Sequence, residues 1–232
     1  MLDVIQSETR GSADHGWLRA KHTFSFAEYQ NPERVEFGKV RVINEDRIAP
    51  GKGFGTHPHK NMEIVTYVID GAIAHKDSMG NGTVISAGEI QRMTAGTGVQ
   101  HSEFNHSNDK ELHLLQIWIY PEKNGLEPGY EQTRFSRDDK LNRLRLVGSR
   151  DGRDGSITIH QDVNLYASVL EPGHAVSLDL QPDRKVFVQV VDGDIAVNGQ
   201  RLSAGDGAQM QDEQSLQIAA VSEAEFLVFD MT

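Results

Sequence analysis

Hydrophobic and polar residues alternate with a period of two through much of the chain, and turn sequences separate the alternating segments. Such segments predict β-strands, because successive side chains of a strand point to opposite faces of a sheet. Glycine-containing turns such as Asp70-Gly71 and Asn198-Gly199 stand between them. Helical periodicity is weak, so the pattern predicts an all-β fold of sandwich or barrel type. We expect strands at residues 40–43, 63–69, 112–120, 156–160, 165–170, 185–191 and 225–229.

A faint internal repeat divides the chain. Residues 68–71 (Val-Ile-Asp-Gly) precede residues 86–89 (Ser-Ala-Gly-Glu), and residues 190–193 (Val-Val-Asp-Gly) precede residues 203–206 (Ser-Ala-Gly-Asp). Each copy predicts a strand, a tight turn, further strands and a second glycine turn. We therefore expect two related β-barrels in tandem. The predicted N-terminal barrel covers residues 1–130, and the C-terminal barrel covers residues 131–232.

Two tripeptides carry the candidate chemistry, His57-Pro58-His59 and His101-Ser102-Glu103. On a strand, residues i and i+2 project to the same side, so each tripeptide presents two potential ligands to one face. Two such pairs facing each other across a barrel would bring three imidazoles and one carboxylate together. This set suits a divalent transition metal better than calcium or magnesium, which prefer oxygen ligands alone. Iron(II) is the expected metal, with zinc, nickel, copper, manganese and cobalt as alternatives.

The predicted C-terminal barrel has no His-x-His sequence, so only the N-terminal barrel is expected to bind a metal. The chain of 232 residues contains no cysteine, which excludes disulfides and thiolate ligands. Its net charge of −11 argues against direct binding to nucleic acid or to anionic membranes. No apolar run approaches the roughly 20 residues of a membrane span, and no signal peptide is recognisable. We expect a cytoplasmic protein, monomeric by default.

The residues around the two tripeptides resemble the two sequence motifs of the cupin superfamily. The residues that match these motifs are Gly51, His57, His59, Glu63 and Gly71 in the first, and Gly88, Gly96, His101 and Asn105 in the second. Three features depart from that pattern: Glu63 falls one position earlier relative to Gly71, Thr94 replaces a proline, and four residues separate Gly96 from His101.

These departures themselves resemble the pirin family, a group of proteins with two cupin barrels. The resemblance extends over essentially the whole chain and is densest from about residue 15 to residue 132. The segments that carry it include residues 16–17 (GW), 22–27 (HTFSFA), 53–59 (GFGTHPH), 75–80 (HKDSMG), 91–96 (QRMTAG), 98–103 (GVQHSE) and 114–118 (LLQIW).

The resemblance to pirins implies two cupin-type barrels packed face to face. It also implies that His57, His59, His101 and Glu103 are the metal ligands, whereas Glu63 is not implied as one. Several bacterial pirin-like proteins are associated with quercetin 2,3-dioxygenase activity. Others, notably in animals, are associated with nuclear binding to transcription factors, with the iron as a redox sensor. The family thus implies either an enzyme or a non-enzymatic regulatory protein whose metal controls binding to a protein partner.

We expect the enzyme, a dioxygenase that opens the ring of a flavonol such as quercetin with O2. Its partners would be a small polyhydroxylated aromatic substrate and O2, with release of carbon monoxide if the family's reaction carries over. Glu103 is the expected proton acceptor for the substrate hydroxyl. Phe54 and Met62 are the expected apolar walls of the pocket.

The remaining aromatic and histidine residues leave alternatives open. Trp17, Phe24 and Phe26 near the N-terminus fit either the core or the wall of a pocket for a flat aromatic substrate. Hydrogen-bonded structural roles are expected for the other histidines in strand or turn contexts. Among these, His113 is a candidate partner for the second N–H of a metal-bound imidazole. The histidines in this group are His75, His106, His113 and His160.

Overall fold

A computed structural model describes residues 2–232 and consists almost entirely of β-strands. The chain forms two compact units. The N-terminal unit contains Gly11–Arg134 and Ile157–Gln161, and the C-terminal unit contains residues 2–10, Phe135–Ser156 and Asp162–Thr232. The prediction of an all-β chain is therefore confirmed. The boundary predicted between residues 130 and 131 stays a prediction.

The described residues form twenty-two strands, which are numbered here in chain order. One short α-helix, α1, covers Arg137–Lys140, and single 3-10 turns lie at Ser7–Thr9 and Arg153–Gly155. None of the helices within residues 2–232 has the length and apolar character needed to cross a membrane. The strands are β1 Leu2–Ile5, β2 Gly11–Asp14, β3 Leu18–His22, β4 Val40–Ile48, β5 Gly53–His59, β6 Glu63–Asp70, β7 Ala72–Asp77, β8 Gly82–Ser86, β9 Glu89–Thr94, β10 Val99–Asn105, β11 Leu112–Ile119, β12 Gly129–Arg134, β13 Arg145–Ser149, β14 Ile157–Thr158, β15 Val163–Leu170, β16 Ala175–Asp179, β17 Lys185–Asp192, β18 Asp194–Val197, β19 Gln200–Ser203, β20 Gly207–Met210, β21 Ser215–Ala220 and β22 Ala224–Met231.

All seven predicted segments overlap strands, although none of them has the same bounds as its strand. The segment predicted at residues 40–43 continues as β4 to Ile48. Its second half, Asn44 to Asp46, is polar yet largely buried, so the apolar alternation ends before the strand does. The segment predicted at residues 156–160 is a strand only at Ile157–Thr158.

The N-terminal unit has two antiparallel sheets. The larger has the strand order β12-β9-β6-β11-β4-β3-β2, and the smaller has the order β5-β10-β7-β8. Apolar side chains from both sheets meet in one buried cluster, because alternate residues of each strand face the interior. This cluster includes Ile48 and Leu114 from the larger sheet and Ile73 and Ile85 from the smaller one. The interior of the unit is therefore a packed core, and polar side chains that enter it need a specific reason.

The C-terminal unit repeats this plan. Its strands β1, β20, β17, β22, β15 and β13 follow one another in one sheet, and β16, β21, β18 and β19 form another. Val188, Val190, Ile195, Leu216 and Phe226 belong to a core cluster with members from both sheets. Within the described residues of this unit, no three potential metal ligands cluster together.

The internal repeat is visible as a shared turn. Gly71 follows β6 with a φ of 85°, and Gly193 follows β17 with a φ of 74°. In each case a Cβ atom on the glycine would crowd the backbone just before a neighbouring strand, at Glu111 and Leu112 or at Glu223 and Ala224. A positive φ combined with a close backbone approach favours glycine at both positions. The two units thus share their strand connection at this turn.

Strand β5 lies against β10 at a point where only glycine fits. Gly53 pairs with Phe104, and a Cβ atom on Gly53 would overlap the carbonyl oxygen of Glu103 and lie 2.5 Å from Cα of Phe104. Gly55, two residues later on the same strand, has open space where its Cβ would stand. The two glycines therefore differ in how much they limit the approach of β5 to β10.

We expect Gly53→Ala to lower the free energy of unfolding by roughly 1–3 kcal/mol, the usual range for forcing extra volume into a packed site. Gly55→Ala is the matched control and should leave the free energy of unfolding close to the wild-type value. Urea denaturation followed by tryptophan fluorescence measures both. Equal unfolding midpoints for the two variants would contradict the close approach.

Candidate metal centre

Three histidines converge on one point because β5 and β10 pair in an antiparallel register. His57 lies directly opposite His101, and His59 lies opposite Val99. The ring centroids of His57 and His101 are 4.4 Å apart, those of His57 and His59 are 4.8 Å apart, and those of His59 and His101 are 4.9 Å apart. One ring nitrogen from each histidine lies within 4.8 Å of the other two. The structure thus brings three of the four predicted ligands together.

Glu103 occupies the next inward position on β10. Its carboxylate lies close to His101 and His75. Each of these three residues offers one potential ligand atom within 4.8 Å of the other two. The β5–β10 register shifts between His101 and Glu103, so Glu103 pairs with Phe54 rather than with Gly55. Glu103 therefore joins the histidine group through His101 and is not part of the His57–His59–His101 cluster itself.

Several buried nitrogen and oxygen atoms of this centre have no protein partner. Both ring nitrogens of His101 are buried without a hydrogen bond, and so is Oε1 of Glu103. His57 donates its Nδ1–H to the carbonyl oxygen of Gly55 at 2.8 Å, which leaves its Nε2 lone pair free. A buried polar atom without a partner costs about 1–3 kcal/mol. Unpaired imidazole and carboxylate atoms that face one another fit a divalent transition metal.

Burial sets the protonation of these groups. Desolvation, followed by the nearby His57, lowers the pKa of His59 to about 4. Desolvation and then the neighbouring histidines lower the pKa of His101 to about 3. Desolvation acts in the opposite direction on an acid and raises the pKa of Glu103 to about 7, although the hydrogen bond from Gln116 opposes it. At neutral pH the His59 and His101 rings are therefore neutral, and Glu103 is close to half-protonated.

A cavity of about 430 Å³ opens beside the histidines. His57, His59 and Glu103 line it, together with the predicted wall residue Phe54. Its other walls are mostly aromatic and apolar, with one polar strip on β3, β4 and β11. The remaining lining residues are Trp17, Leu18, Ala20, His22, Phe26, Asn44, Asp46, Gly53, Gly55, Ile64, Gln116 and Trp118.

Met62, which was predicted as an apolar wall of the pocket, does not line this cavity. It lies outside the lining of this cavity and packs against the apolar cluster of Ile64, Met93, Ala95 and Val99. It immediately precedes β6.

The aromatic N-terminal segment divides between the two roles left open by the sequence. Trp17 and Phe26 line the cavity, whereas Phe24 is fully buried in the core. Trp17 packs edge-on against Phe54 with ring centroids 5.3 Å apart. Trp118, which the sequence did not single out as a wall residue, packs edge-on against His59 at 5.1 Å. Its position on β11, two residues from Gln116, places it on the same inward face.

Among the histidines expected to be structural, His113 and His160 have hydrogen-bond partners away from the cavity, with His75 as an exception. Nε2 of His113 lies 2.9 Å from Oε1 of Glu45, so this nitrogen is not available to a metal-bound imidazole. His160 contacts the buried Glu63, whose carboxylate is thereby held away from the cluster. The exception is His75, which lies beside His101 with ring centroids 5.3 Å apart.

His75 is the functional-site neighbour that the sequence reasoning missed. Its Nε2 lies 3.0 Å from Oδ2 of Asp77, and both side chains are buried. The spacing His75-Lys76-Asp77 is the same i, i+2 signal that identified His57 and His59, since both members of the pair face the interior of β7. Strand β7 pairs with β10 on the side away from β5, and this pairing brings His75 opposite Glu103.

Family models match both halves of the chain. The model described as Pirin matches residues 4–119, and the model described as the quercetinase C-terminal cupin domain matches residues 146–231. The chain is 48% identical over 231 residues to a protein of Escherichia coli strain K12 named quercetin 2,3-dioxygenase, covering 100% of this chain and 99% of the relative. It is 39% identical to a pirin-like protein of Caulobacter vibrioides, with 99% of each chain covered. These relatives confirm the prediction of a dioxygenase-like enzyme.

A solved structure agrees with this assignment. The crystal structure of the bacterial pirin YhhW from Escherichia coli in complex with nickel(II) matches with a TM-score of 0.96 and 48% identity, covering 100% of this chain and 99% of that chain. The match confirms the predicted fold of two cupin domains and supports a site for a divalent metal. The chain belongs to the pirin family.

Proposed function

We propose that this protein is a metal-dependent dioxygenase that opens the ring of a flavonol such as quercetin with O2. One observation carries the proposal: His57, His59 and Glu103 line a cavity whose other walls are largely aromatic and apolar. Small-molecule sites are typically apolar cavities of about 300–1,000 Å³ with a few convergent polar groups, and this cavity falls in that range. The names of the bacterial relatives support the same substrate class.

We propose His57, His59, His101 and Glu103 as the residues that hold the metal, with iron(II) as the expected ion. The unpaired ring nitrogens of His101 and the free Oε1 of Glu103 support this set. When bound, a divalent transition metal supplies Lewis acidity that stabilises an anionic oxygen of the substrate. His57, His59 and His101 each turn one ring nitrogen toward that position.

The aromatic walls would orient a flat substrate. Trp17 and Phe54 form one edge-on pair in the lining, and Phe26 and Trp118 form another with ring centroids 5.4 Å apart. Offset and edge-on contacts between aromatic rings favour a flat ring system in one orientation. Such walls also exclude water from the reacting carbon atoms.

Glu103 is the proposed proton acceptor for the substrate hydroxyl. A ligating carboxylate that dissociates from the metal on one side can accept the proton of an incoming hydroxyl group. Removal of that proton makes the flavonol an electron-rich anion that can react with O2. The carboxylate lines the same cavity, so it has access to a bound hydroxyl group.

We expect freshly purified protein to contain about one divalent metal ion per chain, since the ligands form one site. The double variant His57→Ala, His101→Ala should lose that ion, because two of three imidazoles are removed. His106→Ala is the control, since His106 is exposed and lies outside the cluster. Elemental analysis by mass spectrometry gives the metal content, and full retention in the double variant would refute the ligand assignment.

Metal binding should release a proton from Glu103 in a pH-dependent manner, because a ligating carboxylate must be ionised. With its pKa at about 7, wild-type protein should release roughly half a proton more than Glu103→Gln at pH 7. The difference should approach one proton at about pH 5.5 and vanish at about pH 8.5. Isothermal titration calorimetry in buffers of different ionisation enthalpy measures it. Identical proton release by both proteins at every pH would be inconsistent with a protonated Glu103.

Turnover of quercetin tests the activity directly. Metal-loaded protein is mixed with quercetin without oxygen, air is admitted, and the flavonol absorbance, oxygen uptake and carbon monoxide are followed. Glu103→Gln should slow the reaction by roughly 10²- to 10⁴-fold, the usual contribution of a positioned base. Phe54→Ala should mainly raise KM, since it removes part of the wall.

Glu45→Gln is the matched control for the quercetin assay, because Glu45 contacts His113 and lies outside the cavity lining. It should retain wild-type turnover. A flavonol band that persists in air with any reconstituting metal would instead favour the regulatory role, in which the metal controls binding to a protein partner.

A further inference from the structure

A row of polar side chains crosses the larger sheet of the N-terminal unit at the level of Glu103. Each member is the cross-strand partner of the next, from β3 through β4, β11, β6 and β9 to β12. The neighbouring pairs on β6 and β11 are apolar, Val68 with Leu114 on one side and Ile64 with Trp118 on the other. The members of the polar row are His22, Asn44, Gln116, Thr66, Gln91 and Gln132.

Two members of this row connect to Glu103 by hydrogen bonds. The Thr66 hydroxyl donates to Oε1 of Gln116 at 3.2 Å. The amide Nε2 of Gln116 in turn donates to Oε2 of Glu103 at 2.9 Å. Thr66 is completely buried and Glu103 is 2% exposed, whereas Gln116 is partly exposed where it lines the cavity. These two hydrogen bonds connect Thr66 on β6, through Gln116 on β11, to one carboxylate oxygen of Glu103 on β10.

The arrangement fixes which end of the Gln116 amide faces Glu103. With its carbonyl oxygen satisfied by Thr66, Gln116 presents its NH₂ group to the carboxylate. When Glu103 is ionised, as metal binding requires, the reverse orientation would place the Gln116 carbonyl oxygen against the carboxylate, where the two acceptors repel each other. Gln116 therefore holds Oε2, while Oε1 of Glu103 is buried without a hydrogen-bond partner.

The C-terminal unit shows that the sheet does not itself need polar residues here. Aligning the turns at Gly71 and Gly193 makes Val188 equivalent to Thr66 and Val228 equivalent to Gln116. Val188 and Val228 are also direct cross-strand partners, both fully buried in the core. The unit without a clustered ligand set has an apolar pair at the position where the other unit has a hydrogen-bonded one.

We infer that Thr66 and Gln116 are positioning residues that act as a pair to orient Glu103 toward the metal position. Gln116 occupies Oε2 and turns the carboxylate so that Oε1 remains available, and Thr66 fixes the Gln116 amide. Partners of this kind fix the orientation of a ligand and typically change metal affinity by roughly 10- to 100-fold when removed. The inference rests on the proposed role of Glu103 as a metal ligand.

Three variants test the pair in the full-length, metal-free protein titrated with cobalt(II). Thr66→Val keeps the shape of the side chain but removes the hydroxyl, and Gln116→Leu removes the amide. Each should weaken cobalt affinity by roughly 10- to 100-fold and alter the visible absorption spectrum of the bound ion. Thr66→Ser restores the hydroxyl and should restore both the affinity and the spectrum.

Gln91→Leu is the matched control, since Gln91 is the cross-strand neighbour of Thr66 in the same row and is equally buried. Its amide makes no hydrogen bond to Glu103, so cobalt affinity should stay at the wild-type value. Wild-type affinity and spectrum in both Thr66→Val and Gln116→Leu would overturn the inference.

The variant Glu103→Gln separates this inference from the proposed function. Glu103→Gln should weaken cobalt binding at least as much as loss of the positioning pair. If it does so while Thr66→Val and Gln116→Leu bind normally, only the positioning role is wrong. If Glu103→Gln itself binds cobalt with wild-type affinity, the ligand role of Glu103 fails and the inference fails with it.

Discussion

The antiparallel pairing of β5 with β10 is the constraint on which the candidate centre depends. It sets His57 against His101 and determines how closely the two strands approach at Gly53. A slip of one residue would turn each histidine of β5 to the opposite face of the sheet. The register shift after His101 then places Glu103 where the larger sheet can reach it. The positions of the candidate ligands therefore depend on the register of the two strands as well as on the identity of the side chains.

Burial gives this geometry its chemical character. Desolvation favours the neutral forms of both acids and bases. It therefore lowers the pKa values of His59 and His101, which keeps their rings neutral and able to bind a metal, and it raises the pKa of Glu103. The unpaired polar atoms reduce stability, and the apolar clusters of the unit offset that loss. An ion that binds only the folded state stabilises it by mass action. Metal loading and folding stability are accordingly linked.

The sequence predicted the all-β fold, the histidine pairs and the family, because each depends on local spacing or on motifs. The i, i+2 rule applies within one strand, and His57 and His59 satisfy it. The cavity walls were harder to predict because Trp17 and Phe26 lie outside the strands and Trp118 lies on β11, away from the strands of the histidine pairs. Met62 was misplaced since apolar character alone does not tell a cavity wall from the packing beneath it. The same spacing rule would have found His75 with Asp77 had the pairing of β7 with β10 been known.

The shared turn at Gly71 and Gly193 allows the two units of the chain to be compared position by position. Two copies of one strand connection stand in one molecule, yet one interior contains Thr66 and the other Val188 at the equivalent position. The glycine turn occurs in both copies because the backbone requires it. The hydrogen-bonded pair of Thr66 and Gln116 occurs only in the copy that contains the clustered histidines. The two interiors of one polypeptide therefore differ in polarity at a position where their strand pairing corresponds.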